Sequence, residues 1–230
     1  MINENLLYIE DDNNRKLYYR FTPAAFISNF VPLIVILHDQ GKAELAPHFE
    51  YKMWNVLTPV DNFGYEKGGS CWLGESGDFF VRDLLQELIK MISQEYECED
   101  HIYFYGKGMG GYGSILHGIL CKANAVYVNK PYMMLEENND KYMRRFYSSI
   151  FTKTASKEND LSTFLNLRGP FPIFYLCDKN DEDIGGDETA SFLKACQKND
   201  IKFDLDFPIS SKNEEEAIKE VLNMLARMTP

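Results

Sequence analysis

The chain has 230 residues, 45% of them hydrophobic and 26% charged, and a formal net charge of −11. That is the composition of a folded domain with a sizeable core, and it excludes disorder along the whole chain. A surface this acidic repels phosphate backbones and anionic lipid, which disfavours nucleic acid and membrane surfaces as partners.

In chain order, Leu6 to Ile9 and Lys16 to Phe21 read as two strands joined by the polar turn Asp11-Asp12-Asn13-Asn14, a hairpin. Val31 to Leu37 is a continuous apolar run, as expected for a strand buried on both faces, and Trp54 to Val60 repeats that character. Leu84, Leu85, Leu88, Ile89 and Ile92 recur at helical spacing and predict a helix over 79–96, with Asp78 as its N-cap. A strand over 101–105 runs into glycines and a helix over 109–121; a further strand covers 125–128. Residues 132–169 break the rhythm, being polar, Asn-rich and weakly helical. The pattern resumes with a strand over 171–176, a helix over 188–198, a strand over 201–207 and a helix over 214–228. Strands alternating with helices predict a single α/β domain, 1–230, with a mostly parallel sheet covered on both faces. Segment 132–169 is read as a lid-like insertion over the carboxyl edge of that sheet.

The five cysteines, Cys71, Cys98, Cys121, Cys177 and Cys196, are an odd number and form no CxxC pair. The pattern fits reduced thiols rather than a disulfide framework or a zinc site. The N-terminus carries no basic region followed by a long apolar one, and Val31 to Leu37 is too short to span a bilayer. The expectation is a cytoplasmic protein with no membrane insertion. Asp178, Asp181, Glu182, Asp183 and Asp187 lack the spacing of a calcium loop and read as a solvated turn. No metal and no cofactor is expected.

The most informative stretch is Ile102 to Gly113, a strand, a tight turn Gly106-Lys107-Gly108-Met109-Gly110, and a helix. Here the sequence resembles the α/β-hydrolase superfamily, whose nucleophile elbow reads G-x-S-x-G in this context. The variant nearest to it, G-x-S-M-G-G-Y, belongs to carbohydrate esterases and acetyltransferase-like proteins of bacterial surface-polysaccharide and accessory-secretion loci. Gly106, Met109, Gly110, Gly111 and Tyr112 match it, and the loop Cys71-Trp72-Leu73-Gly74 adds to the polysaccharide association. The serine position falls on Gly108. Glycine tolerates the strained turn but supplies no oxygen, and Lys107 beside it is no substitute at neutral pH.

The resemblance places the catalytic acid after the strand ending at Leu176, on Asp181 or, second, Asp178. It places the histidine after the last strand, near Phe207 to Lys212, yet no histidine follows His117. Without an imidazole there, no base takes a proton from a hydroxyl nucleophile. Two vacancies far apart in the chain imply a degenerate site that binds without turnover. The same resemblance gives His38-Asp39-Gln40-Gly41 as the loop supplying an oxyanion-hole amide. The amides of Met109 and of Asp39 or Gln40 then point into the cavity, and the chain opens with fewer early strands than full-size hydrolases.

The ligand-binding set expected from this reading is His38, Asp39, Gln40, Lys107, Gly108, Met109 and Trp72. Its ligand would be a glycan or an acyl group, with Trp72 as a platform for a sugar ring or a pin for its loop. A protein partner is the other expectation. The alternative is an active carbohydrate esterase or O-acyltransferase that recruits Ser70, Ser114 or Cys71, with His38 or His48 as base. A phosphate-binding turn is a third reading, because Gly106, Gly108 and Gly111 spell G-x-G-x-x-G. That turn sits mid-chain, and no acidic residue ends the next strand.

Overall fold

The computed structural model describes residues 6–42, 51–136, 141–152, 156–167, 169–177, 187–205 and 213–228. Its strands are β1 (Leu7–Glu10), β2 (Lys16–Thr22), β3 (Leu33–Leu37), β4 (Asn55–Val60), β5 (Ile102–Lys107), β6 (Ala125–Asn129), β7 (Ile173–Cys177) and β8 (Phe203–Asp204). Its α-helices are α1 (Phe80–Glu95), α2 (Met109–Cys121), α3 (Lys141–Ile150), α4 (Asp187–Lys198) and α5 (Glu214–Met228). The strands form one sheet in the order β1-β2-β4-β3-β5-β6-β7-β8. Within it the β1–β2 and β2–β4 pairings are antiparallel; β4, β3, β5, β6, β7 and β8 run parallel. Alternating strands and helices predict such a mostly parallel sheet, and the resemblance at the elbow implies its α/β-hydrolase type.

The continuous apolar run of β3 explains the layering. Leu33, Val35 and Leu37 point into one core with α1, α2 and the 132–169 segment, while Ile34 and Ile36 point into another closed by Ile218, Val221, Leu222 and Leu225 of α5. A strand apolar on both faces must be covered on both faces, because each exposed aliphatic side chain forfeits about 1.5–3 kcal/mol of burial.

Three expectations are corrected. Asp78 does not cap α1: the helix starts after Phe79 with no side-chain cap, and the Asp78 carboxylate instead takes a hydrogen bond from Arg15 at 2.6 Å. The last strand is short, Phe203–Asp204, and residues 206–207 of the expected strand lie outside the described residues. The start of the chain is not reduced, since β1 and β2 extend the sheet to eight strands.

The 132–169 segment leaves from the carboxyl end of β6 and returns to β7. It holds α3 and two short turns of 3₁₀ helix, Lys157–Asn159 and Leu161–Asn166. Among its described residues, Phe146, Ile150, Leu161 and Leu165 are buried in the main core. No helix among the described residues is long and apolar enough to cross a membrane.

Candidate functional site

The turn between β5 and α2 carries the site. Gly108 sits at φ 50°, ψ −116°, a conformation that costs a residue with a Cβ about 1–3 kcal/mol. Its N–H donates to the carbonyl of Asn129 on β6, and its own carbonyl accepts from Tyr112 and Tyr132. Gly110 permits the close approach that follows, since a Cβ there would stand 2.1 Å from the carbonyl oxygen of Leu37 at the end of β3. The glycine run is thus a geometric requirement for bringing the start of α2 against the end of β3.

What faces the turn is Asp39. Its Oδ1 accepts the Met109 N–H at 3.0 Å and the Gln40 N–H at 2.8 Å. A Cβ on Gly108 would lie 2.3 Å from the same oxygen. The carboxylate therefore occupies the space a side chain at position 108 would enter, and it holds the two amides expected to receive an oxyanion. An anion at a helix N-terminus, bonded to two backbone N–H groups, stabilises the arrangement by about 1–2 kcal/mol.

His38 is buried and engaged at both nitrogens. Nδ1 donates to the Asp39 carbonyl at 2.9 Å, and Nε2 accepts the Asp61 N–H at 2.9 Å. Those partners assign the Nδ1–H tautomer and hold the ring as a brace. Lys107 ends β5 and is exposed, so it does not enter the amides that Asp39 fills. Gln40 reaches the Tyr142 hydroxyl at 3.4 Å, which links the loop to the 132–169 segment. Trp72 is 0% exposed and packs edge-on to His38 with centroids 4.9 Å apart, so its ring presents no face to solvent. Asp178, Asp181 and His48 lie outside the described residues.

The alternative nucleophiles sit in dry surroundings. Ser70 Oγ donates to Asp61, and Ser114 is fully buried against Gly106. Cys71 is 0% exposed, and burial, with the charges of Asp61 and Asp39 adding to it, pushes its thiol well above its ordinary value. It remains a thiol at neutral pH.

Asp61 is the residue that sequence reasoning missed. It is 0% exposed, and its carboxylate accepts the N–H groups of Ser70 at 2.7 Å and Trp72 at 2.9 Å as well as the Ser70 hydroxyl. These bonds hold Cys71 and Trp72 at positive φ, 54° and 61°. The only sequence signal is an acidic residue directly after an apolar strand. His117 is fully buried, donates from Nε2 to the Trp72 carbonyl at 3.0 Å and accepts from Gln86 at Nδ1. Burial pulls its pKa down to about 4.

Beside the turn, Tyr132 donates its N–H to Gly108 and lines a cavity of about 210 Å³ between the 132–169 segment and α4. Burial pushes the Tyr132 phenol up to about 12, with Asp39 the largest of the negative neighbours that add to it. Among the described residues no group of three or more His, Cys, Asp or Glu side chains could hold a metal ion.

Comparison with solved structures shows the α/β-hydrolase fold. A fluorophosphonate-binding serine hydrolase F of Staphylococcus aureus superposes with a TM-score of 0.67 at 13% identity, covering 96% of each chain. An S-formylglutathione hydrolase from Agrobacterium tumefaciens gives 0.66 at 13% identity, over 97% of this chain and 92% of that one. The capsule O-acetyltransferase of Neisseria meningitidis serogroup A gives 0.62 at 14% identity, over 98% of this chain and 95% of that one. No curated protein matches the sequence. The family model described as "Uncharacterised protein family (UPF0227)" matches residues 76–225.

Proposed function

For this chain, which belongs to the uncharacterised protein family UPF0227, we propose a role in binding rather than turnover: an α/β-hydrolase homologue whose ester chemistry has lapsed. The observation that carries the reading is the pairing of Gly108 with Asp39. The strained turn persists without an oxygen on its central residue, and a carboxylate from the neighbouring loop holds the amides of Met109 and Gln40. A carbonyl substrate would have to displace an anion from that place before any oxyanion could be stabilised there. His38 supports the reading too, since neither ring nitrogen is available as a base.

The ligand enters the cavity behind Tyr132. Its lining of Met134, Leu135, Phe146, Ile150 and Phe151 favours an apolar, acyl-sized group over a sugar ring. Trp72, being buried, is left out of the ligand set. The motif Met109-Gly110-Gly111-Tyr112 supports a setting in bacterial surface-polysaccharide handling, and the five free cysteines support a reducing compartment. Ester hydrolysis or acyl transfer through Ser70, Ser114 or Cys71 is disfavoured by their burial.

Hydrolysis of p-nitrophenyl acetate, measured against buffer alone, tests the reading. The expected rate equals buffer for the chain as it stands and for Gly108→Ser. A rate well above buffer for the unaltered chain would overturn it.

A further inference from the structure

The cavity behind Tyr132 has two unlike parts. Its interior is apolar and aromatic, with Met143 partly buried and Phe146, Tyr147 and Ile150 buried around it. Its rim carries two carboxylates, Glu136 from the segment after β6 and Glu188 from the first turn of α4, and among the described residues no Lys or Arg lines it. Glu188 takes a backbone hydrogen bond from Met134, which fixes it at the edge of the cavity. Desolvation first, and then Glu136 beside it, raises the Glu188 pKa above the ordinary carboxylate value. With no Lys or Arg among the described lining residues to face these two carboxylates, and a net charge of −11 on the chain, the rim attracts cations.

An apolar chamber with an anionic rim selects by charge as well as by shape. A fatty carboxylate would bring a third negative charge to the rim, and a neutral alcohol would leave the existing two uncompensated. An alkylammonium ion satisfies both parts, with its tail among Met143, Phe146 and Ile150 and its head at the carboxylates. We propose that this cavity binds the alkyl tail of an amine whose ammonium head rests between Glu136 and Glu188. The inference rests on the reading that the cavity behind Tyr132 is a ligand site, and it names the chemical class of that ligand. The same chemistry is found in a free alkylamine and in a lysine side chain of a partner protein.

Calorimetric titration of the full chain at low salt with hexylammonium, hexanol and hexanoate separates the parts. Hexylammonium is expected to bind about tenfold more tightly than hexanol, with hexanoate the weakest. Replacing both rim residues, Glu136→Gln with Glu188→Gln, is expected to bring hexylammonium to within about twofold of hexanol. Met143→Trp fills the chamber and is expected to abolish all three. Nα-acetyl-lysine amide, titrated alongside, identifies the source: tighter binding than hexylammonium points to a protein side chain, weaker binding to a free amine, and either supports the charge assignment. Equal binding of hexylammonium and hexanol, or hexanoate as the tightest of the three, overturns the charge assignment and leaves the ligand-site reading standing. Binding that survives Met143→Trp places the ligand elsewhere and overturns the proposal. No binding of any probe overturns both the proposal and the ligand-site reading.

Discussion

The Gly108 turn and the cavity behind Tyr132 are joined by one backbone hydrogen bond, from the Tyr132 N–H to the Gly108 carbonyl. At the turn, the amides of Met109 and Gln40 and both ring nitrogens of His38 are already bonded within the protein. Asp39 fills the amides, His38 bridges Asp39 and Asp61, and Asp61 holds the loop carrying Trp72. Behind Tyr132 lies an open volume with an apolar wall and two carboxylates, and no Lys or Arg is among the described residues that line it. The contrast teaches that the same fold can hold a strained, internally bonded turn and, one hydrogen bond away, a cavity with an apolar wall and acidic edge. The braced region is then expected to contribute stability, and the open one selectivity.

The strongest way to break that contrast is Asp61→Ala. It strands two buried N–H groups and the Ser70 hydroxyl, for an expected loss of about 3–5 kcal/mol in urea unfolding. A loss below about 1 kcal/mol would show that the loop is not braced through this carboxylate.

Acid probes the same brace through His117. An unfolded histidine titrates near 6.5, and burial holds the folded one at about 4. Between those values the unfolded chain binds the extra proton, so stability falls as pH drops from 6.5 toward 4, by about 3 kcal/mol from this residue. In His117→Gln that slope should flatten; an unchanged slope would assign the acid sensitivity elsewhere.

Gly108→Ser addresses the filled turn directly. Its Cβ would meet the Asp39 carboxylate, and its φ would be strained, for an expected loss of about 1–3 kcal/mol. Adding Asp39→Gly should recover part of the loss, because the collision partner is then gone. Strict additivity of the two changes would place Asp39 away from the turn.

Asp39→Asn is the smallest and sharpest test. The amide oxygen still accepts from Met109 and Gln40, but the charge at the start of α2 is lost, which should lower stability by about 0.5–1 kcal/mol. The difference should shrink in high salt if the charge is the cause.

Some of this was legible locally. The elbow could be found because its glycines and strand are contiguous, and a tight turn writes its requirements into neighbouring residues. Lys141–Ile150 was harder, since its charged exposed face dilutes the pattern and only Phe146, Tyr147 and Ile150 are buried. Trp72 left two readings open from the sequence, a platform for a sugar ring or a pin for its loop, and the bonds of Asp61 that fold the loop into the core decide for the pin.

By itself, then, the sequence determined the parallel layering and the strained turn at Gly108, because apolar period and glycine placement act over a few residues. Tertiary structure alone decided that Asp39, 70 residues before Met109, fills the turn. It also brought Glu136 and Glu188 to one rim. Those juxtapositions depend on where distant strand ends meet across the sheet, and no local pattern encodes that distance.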